Sequence, residues 1–136
     1  MSSFLLMLML ACSGEEEATL LDWETSFNSG GELMNQGQFE AAEAETRKAI
    51  STSKQMDAAF LGGVSELQLA RIQLSTGRVD EAEQSVVALW EGKTLEEQPT
   101  AMVDLHILLG RIYAAKVDME KCIGQYRLAL AAGEMA

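Results

Sequence analysis

Proline is nearly absent: the chain has 1 in 136 residues, Pro99. With so few helix breakers and much Ala, Leu, Glu and Gln, the backbone favours long helices. No segment shows apolar alternation bounded by turn residues, so nothing points to a sheet. Basic side chains are scarce, 10 Lys and Arg against 21 Asp and Glu, giving a formal charge of −11. That deficit argues against nucleic acid, whose binders need a basic stripe to displace counterions. It argues equally against electrostatic docking on an anionic membrane surface. The lone histidine, His106, has no Cys or His at ligand spacing, so packing or exposure is expected and a metal is not. A Gly-rich phosphate loop, a Ser/His/Asp set and a carboxylate pair singled out by spacing are all missing. No catalytic residue and no cofactor is therefore expected. An enzyme would need a deep polar pocket with several shifted titratable groups.

What the chain does have is a period. Gly30, Ala70 and Gly110 share one register at equal intervals, as do Gly31, Arg71 and Arg111, and Ala42, Ala82 and Cys122. A fixed period of about 40 residues marks stacked units that cannot bury their apolar faces alone. Hydrophobic spacing and breakers place helical segments at 19–36, 39–54, 57–76, 79–92, 100–116 and 118–132. Short turns at Gly37, Gly77 and Lys116–Val117 join them into three antiparallel hairpins. Asp80 and Asp118 put negative charge where the dipoles of second helices favour it. Thr94–Pro99 is the clearest linker, with Pro99 suited to a first helical turn.

Leu109-Gly110-Arg111-Ile112-Tyr113, followed by Cys122, Tyr126 and Ala129, resembles the tetratricopeptide repeat. The first unit keeps Gly30, Leu33, Gly37, Phe39, Ala42 and Ala49, with Thr46 in the aromatic place. The second keeps Leu69, Ala70, Gly77, Val79 and Ala82, with Val86 and Leu89 following. The resemblance covers residues 19–136 and implies an all-α, right-handed superhelix of three hairpins. Small residues at 30, 70 and 110 should let the helices of a hairpin approach, and those at 42, 82 and 122 should seat the next unit. The period exceeds the family's usual one; the added residues, in Met56–Val64 and Thr94–Pro99, are expected to lengthen helices.

Members of that family bind protein or peptide partners on a concave face lined by first helices. By register, Phe27, Met34, Leu67, Arg71, Leu74, Ile107 and Arg111 should line it. An amphipathic helix or extended peptide would then lie in the groove, with Arg71 and Arg111 gripping carboxylates. The alternative is that both Arg pair with the chain's own acids. Co-chaperone members clamp a C-terminal carboxylate with Lys and Asn. Here the matching area holds Glu24, Phe27, Gly31, Leu67, Asp104 and Leu108, so that ligand is not expected.

The first residues read differently. Phe4–Ala11 is an uncharged run of eight, too short for a bilayer span of about 20 residues and of the length of a signal's apolar core. Met9-Leu10-Ala11-Cys12 resembles the lipobox of bacterial lipoprotein signals, although Met9 stands where Leu is usual and no Lys or Arg precedes the run. The resemblance implies a signal peptide over 1–11, acylation of Cys12, a flexible acidic tether over 12–18 and an anchor in the outer membrane facing the periplasm. Lipidation there would leave Cys122 alone, without an intrachain disulfide. An inert core thiol is the expected state of Cys122.

Taken together, these features imply a lipid-anchored adaptor or assembly factor of a bacterial envelope, pilotin-like in outline. The rival readings are a cytoplasmic adaptor with an unprocessed N-terminus and a chaperone holding apolar clients. At the other end, the last unit is barely complete at Gly133-Glu-Met-Ala136. Leu105, Ile112, Leu128 and Leu130 are expected to include uncovered residues, so that face suggests a homodimer or a docked protein; a truncated reading frame is the alternative.

Overall fold

A computed structural model describes residues 17–135. The signal segment 1–11, Cys12 and most of the tether lie outside the described residues. Among those described, six helices and no strand are present: α1 Leu20–Asn35, α2 Phe39–Gln55, α3 Ala59–Ser75, α4 Val79–Glu91, α5 Pro99–Ala115 and α6 Met119–Glu134. The protein is all-α, and each boundary falls within two residues of its sequence expectation. The leading helices end at Asn35, Ser75 and Ala115, and the trailing ones begin at Phe39, Val79 and Met119. The period of the sequence is thus a period of the backbone.

Local chemistry explains the boundaries. Thr19 caps α1 in a reciprocal box: its hydroxyl accepts from the Asp22 amide at 3.2 Å, and the Asp22 carboxylate accepts from the Thr19 amide at 2.9 Å. Pro99 opens α5, where a missing amide hydrogen costs nothing. Asp118 caps α6 by accepting from the Lys121 amide. Four helices end in Schellman turns. Gln38 N–H bonds Leu33 O at 2.9 Å while Gly37 N–H bonds Met34 O, and the pattern recurs at Asp57–Ala58, Gly77–Arg78 and Val117–Asp118. The turn residue is left-handed each time, with φ of 77° at Gly37, 81° at Gly77 and 60° at Val117. Glycine adopts that region freely; a β-branched valine does not.

Each helix packs on its successor, and the leading helices also touch, α1 on α3 and α3 on α5. The small residues expected at 30, 70 and 110 face positions 46, 86 and 126 on the trailing helices. A Cβ on Gly110 would come 2.5 Å from the Tyr126 ring, and one on Gly30 would come 2.6 Å from Thr46 Oγ1 and from Gln68 Nε2. Ala70 and Val86 share the main core. Where Thr46 is smaller than Tyr126, the Gln68 amide enters the space left over. The main cluster gathers Leu67, Val86, Leu95, Leu105, Leu108 and Ile112 with their neighbours, centred on α3, α4 and α5. Ala42, Ala82 and Cys122 are all buried, the last as a free thiol.

Two expectations need correction. Of the extra residues in Met56–Val64, those from Ala59 onward lie in α3, which runs to 17 residues, but those around Thr94–Pro99 lengthen nothing in α4. That helix stops after 13 residues. The 92–98 segment instead drives Leu95 into the core, where Gly63 leaves room for its δ-carbon. Leu105 and Ile112, expected among residues left uncovered, are fully buried; Leu128 and Leu130 are exposed. The reason is that α5 lies between α6 on one side and α3 with α4 on the other.

Candidate protein-interaction surfaces

The seven groove residues separate into three groups. Leu67 does not line a groove: it belongs to the core cluster. Its register, shared with Phe27 and Ile107, faces the next hairpin rather than the inner wall. Phe27 is half-buried and stacks on Trp23 with ring centroids 4.8 Å apart. Ile107 is exposed and lines an end groove instead. Met34 and Leu74 are half-buried near the ends of α1 and α3, and Leu74 packs against the core.

Arg71 and Arg111 form the third group. They sit one repeat apart on α3 and α5, which are in contact. Arg71 Nη2 lies 3.6 Å from Asp104 of α5, within Coulomb reach but beyond a good hydrogen bond. The chain's own acid therefore takes part of Arg71, while its fork keeps donors free for a ligand. Arg111 is exposed and forms no ion pair among the described residues. This wall offers cationic groups on an otherwise acidic molecule.

Ionic clasps recur between successive hairpins, and the sequence reading missed them. Glu43 on α2 accepts from Arg78, in the turn after α3, at 2.7 and 3.1 Å, and also from Arg47 at 2.8 Å. One repeat later Glu83 on α4 accepts from Lys116, in the turn after α5, and Lys116 also reaches Asp80 at 3.2 Å. The hydrogen bond from Arg78, with that from Arg47, holds the Glu43 carboxyl down at about 2. Its partners respond in kind: Glu43 raises the Arg78 guanidinium, and Glu83 with Asp80 raises the Lys116 ammonium. A search for acids that recur with the repeat, each matched by a cation in the turn after the next leading helix, would have found both clasps.

The surface also holds concavities. An apolar groove of about 610 Å³ runs between α5 and α6, lined by Val103, Ile107, Tyr126, Ala129, Leu130 and Gly133 with Glu134 at its end. A cleft of about 330 Å³ lies by the α2–α3 turn and includes Ser53, Lys54, Asp57, Glu66 and Thr94. Burial there raises the Glu66 carboxyl, opposed by the charge of Lys54. His106 is buried, with Nδ1 2.8 Å from Gln125 Oε1 and its ring edge-on to Trp90. Among the described residues no group of His, Cys, Asp and Glu has metal-binding geometry, and no helix is long and apolar enough to cross a membrane.

The fold defines a class: an all-α protein whose described residues form three successive helical hairpins, with an apolar groove between α5 and α6. In comparison with known proteins, the chain matches no family model, no curated protein and no solved structure.

Proposed function

We propose that this chain is a tetratricopeptide-type adaptor or assembly factor, a right-handed superhelix of three hairpins that binds a protein or peptide on its leading helices. The observation that carries this reading is the coincidence of hairpin boundaries with the sequence period, together with direct contact between leading helices. Stacking of this kind gives a continuous wall on which a partner can lie. Arg71 and Arg111 supply the recognition chemistry, binding carboxylates of the partner. Leu67 acts behind the wall as packing. The double variant Arg71→Ala/Arg111→Ala should lose most of the native partner in a pull-down. Unchanged capture would remove both residues from the mechanism.

The same proposal places the mature chain at a membrane. Cys12 would carry the acyl chains, each buried methylene contributing about 0.8 kcal/mol. The periplasmic face of a bacterial outer membrane is the proposed location. Intact mass of the chain from native membranes should begin at Cys12 and include lipid. A full-length unmodified chain would instead favour a cytoplasmic adaptor or client-holding chaperone. These two are separated by whether capture selects one partner or many apolar peptides.

A further inference from the structure

The groove between α5 and α6 is the stacking face of the third hairpin, and its residues can be compared with equivalents one repeat earlier. Leu67 is 3% exposed, but Ile107, in its register, is 40% exposed; Val86 is 0% exposed and Tyr126 38%. The difference is α5, which covers the second hairpin. The clasp position changes as well. Glu43 and Glu83 each hold a cation of the following hairpin, whereas the same register at 123 is an exposed isoleucine. A face meant for water would have kept the acid there. This one has exchanged it for an apolar residue.

Along α6 the substitution completes a stripe. Met119, Ile123, Tyr126, Leu130 and Gly133 alternate steps of four and three positions. That spacing puts them on one side of a helix as the seam of a helix pair. All but Gly133, which has no side chain to offer, are large exposed apolar residues.

Repeated head-to-tail stacking of copies does not fit this face. The hairpin before α5 is covered by Met102, Leu105, Leu108 and Ile112. Two repeats back, at the front of the molecule, the same register reads Asp22, Thr25, Asn28 and Glu32, all exposed. Those four polar residues cannot take the place of the apolar stripe of α5 on the groove. Two copies can still cover each other's grooves face to face about a twofold axis.

We infer that the chain forms an isologous homodimer through the α5–α6 end face, with Leu130 near the axis and seated in the second copy's groove. Charge fixes the direction. Arg127 and Glu134 are exposed, of opposite sign, and one heptad apart on the same flank of the stripe. Their midpoint falls between Leu130 and Ala131. Antiparallel pairing centred there sets each Arg127 against the Glu134 of the other copy, and it does so twice. Exposed pairs of this kind add little affinity and mainly select register. This inference is independent of the adaptor reading, because it rests on the end face and not on the leading-helix wall.

Sedimentation velocity on the full chain tests it, with circular dichroism to confirm that each variant folds. The unaltered chain should be dimeric at about 100 µM and dissociate on dilution through the micromolar range. Leu130→Glu, at an exposed position, should weaken the dimer about thirtyfold or more, the size of a central contact. Leu21→Glu, equally exposed on the front face, should leave it unchanged. Arg127→Glu and Glu134→Arg should each weaken it, and the double reversal should restore it. A monomer at every concentration would give the face to a helix of another protein and overturn the inference. Association that survives Leu130→Glu would also overturn it, because self-contact would then lie elsewhere, for instance at the apolar run 4–11.

Discussion

The two junctions between hairpins follow one geometric plan with different chemistry. Where the first hairpin meets the second, buried hydrogen bonds cross the contact. Trp23 Nε1 donates to Ser65 Oγ at 2.8 Å, and Ser65 donates onward to Leu61 O at 2.8 Å. Gln68 Nε2 donates to Thr46 Oγ1 at 2.8 Å and to Phe27 O at 3.1 Å. Where the second hairpin meets the third, Leu67, Val86, Leu89, Leu105, Leu108 and Leu109 make a continuous apolar body. A buried hydrogen bond contributes about 1 kcal/mol net, because water competed for both partners. A buried leucine contributes about 2 kcal/mol by leaving water. The first junction therefore depends on paired polar groups as well as burial, and the core of the second on apolar burial alone. The first hairpin should open on its own before the rest unfolds.

Leu105→Ala attacks the apolar junction. Leu105 is fully buried, and its truncation should cost about 3 kcal/mol in denaturant unfolding. Hydrogen exchange should accelerate together across α3, α4, α5 and α6. If α1 and α2 lost as much protection as α5, the two junctions would not be separable.

Thr46→Val is the matched test of the hydrogen-bonded one. It keeps the shape and removes the acceptor of Gln68, leaving a buried N–H unpaired at a cost of about 1.5 kcal/mol. The change should appear in exchange of α1 and α2, with α5 and α6 unaffected. An equal loss in α5 and α6 would mean that the hydrogen bonds and the apolar body unfold as one unit.

The turns allow a change in the opposite direction. Val117 holds φ of 60° where the other two repeats use glycine, and its side chain is exposed. Val117→Gly should gain about 1 kcal/mol, the left-handed penalty of the valine exceeding the added freedom of the unfolded glycine. Gly77→Val should lose a similar amount. If both variants destabilise, the turn at 117 is held by contacts of the valine.

Most of the architecture was legible because it is written in spacing. Pro99, the turn glycines and the register of 30, 70 and 110 gave six helices and nearly all of their ends. Leu95 was not legible: it lies outside any helical period, and Gly63, far back in the chain on α3, is what leaves room for it. Gln68 and Ser65 look like exposed polar residues until Thr46 and Trp23 arrive from another hairpin. Of the candidate groove residues, Arg71 is half-buried beside Asp104 and Arg111 is exposed, whereas Leu67 lies in the core. Leu67 and Arg71 are four residues apart and so differ by only about 40° around the helix, and the period alone does not fix which of them faces the neighbouring hairpin.

The smallest effect expected concerns the first clasp, and it also depends on pH. The Glu43 carboxyl lies near 2 in the folded chain against 4.5 as its ordinary value, through the hydrogen bond from Arg78 first and that from Arg47 next. A folded value below the unfolded one means that the unfolded chain binds protons more readily. Stability from this group is thus complete above about pH 4.5, and it is lost as pH falls from there through 2. Because the clasp is partly solvated, screening reduces its contribution, and Glu43→Gln should cost about 0.5 kcal/mol at neutral pH. The difference between the parent and this variant should shrink on acidification and vanish only once the pH is well below the folded value of about 2. It should also shrink in about 1 M salt, which leaves the apolar second junction intact. A difference that persisted well below the folded value of about 2 would show that Glu43 acts by packing, and would leave the hydrogen bonds of Gln68 and Trp23 to hold the first junction without ionic help.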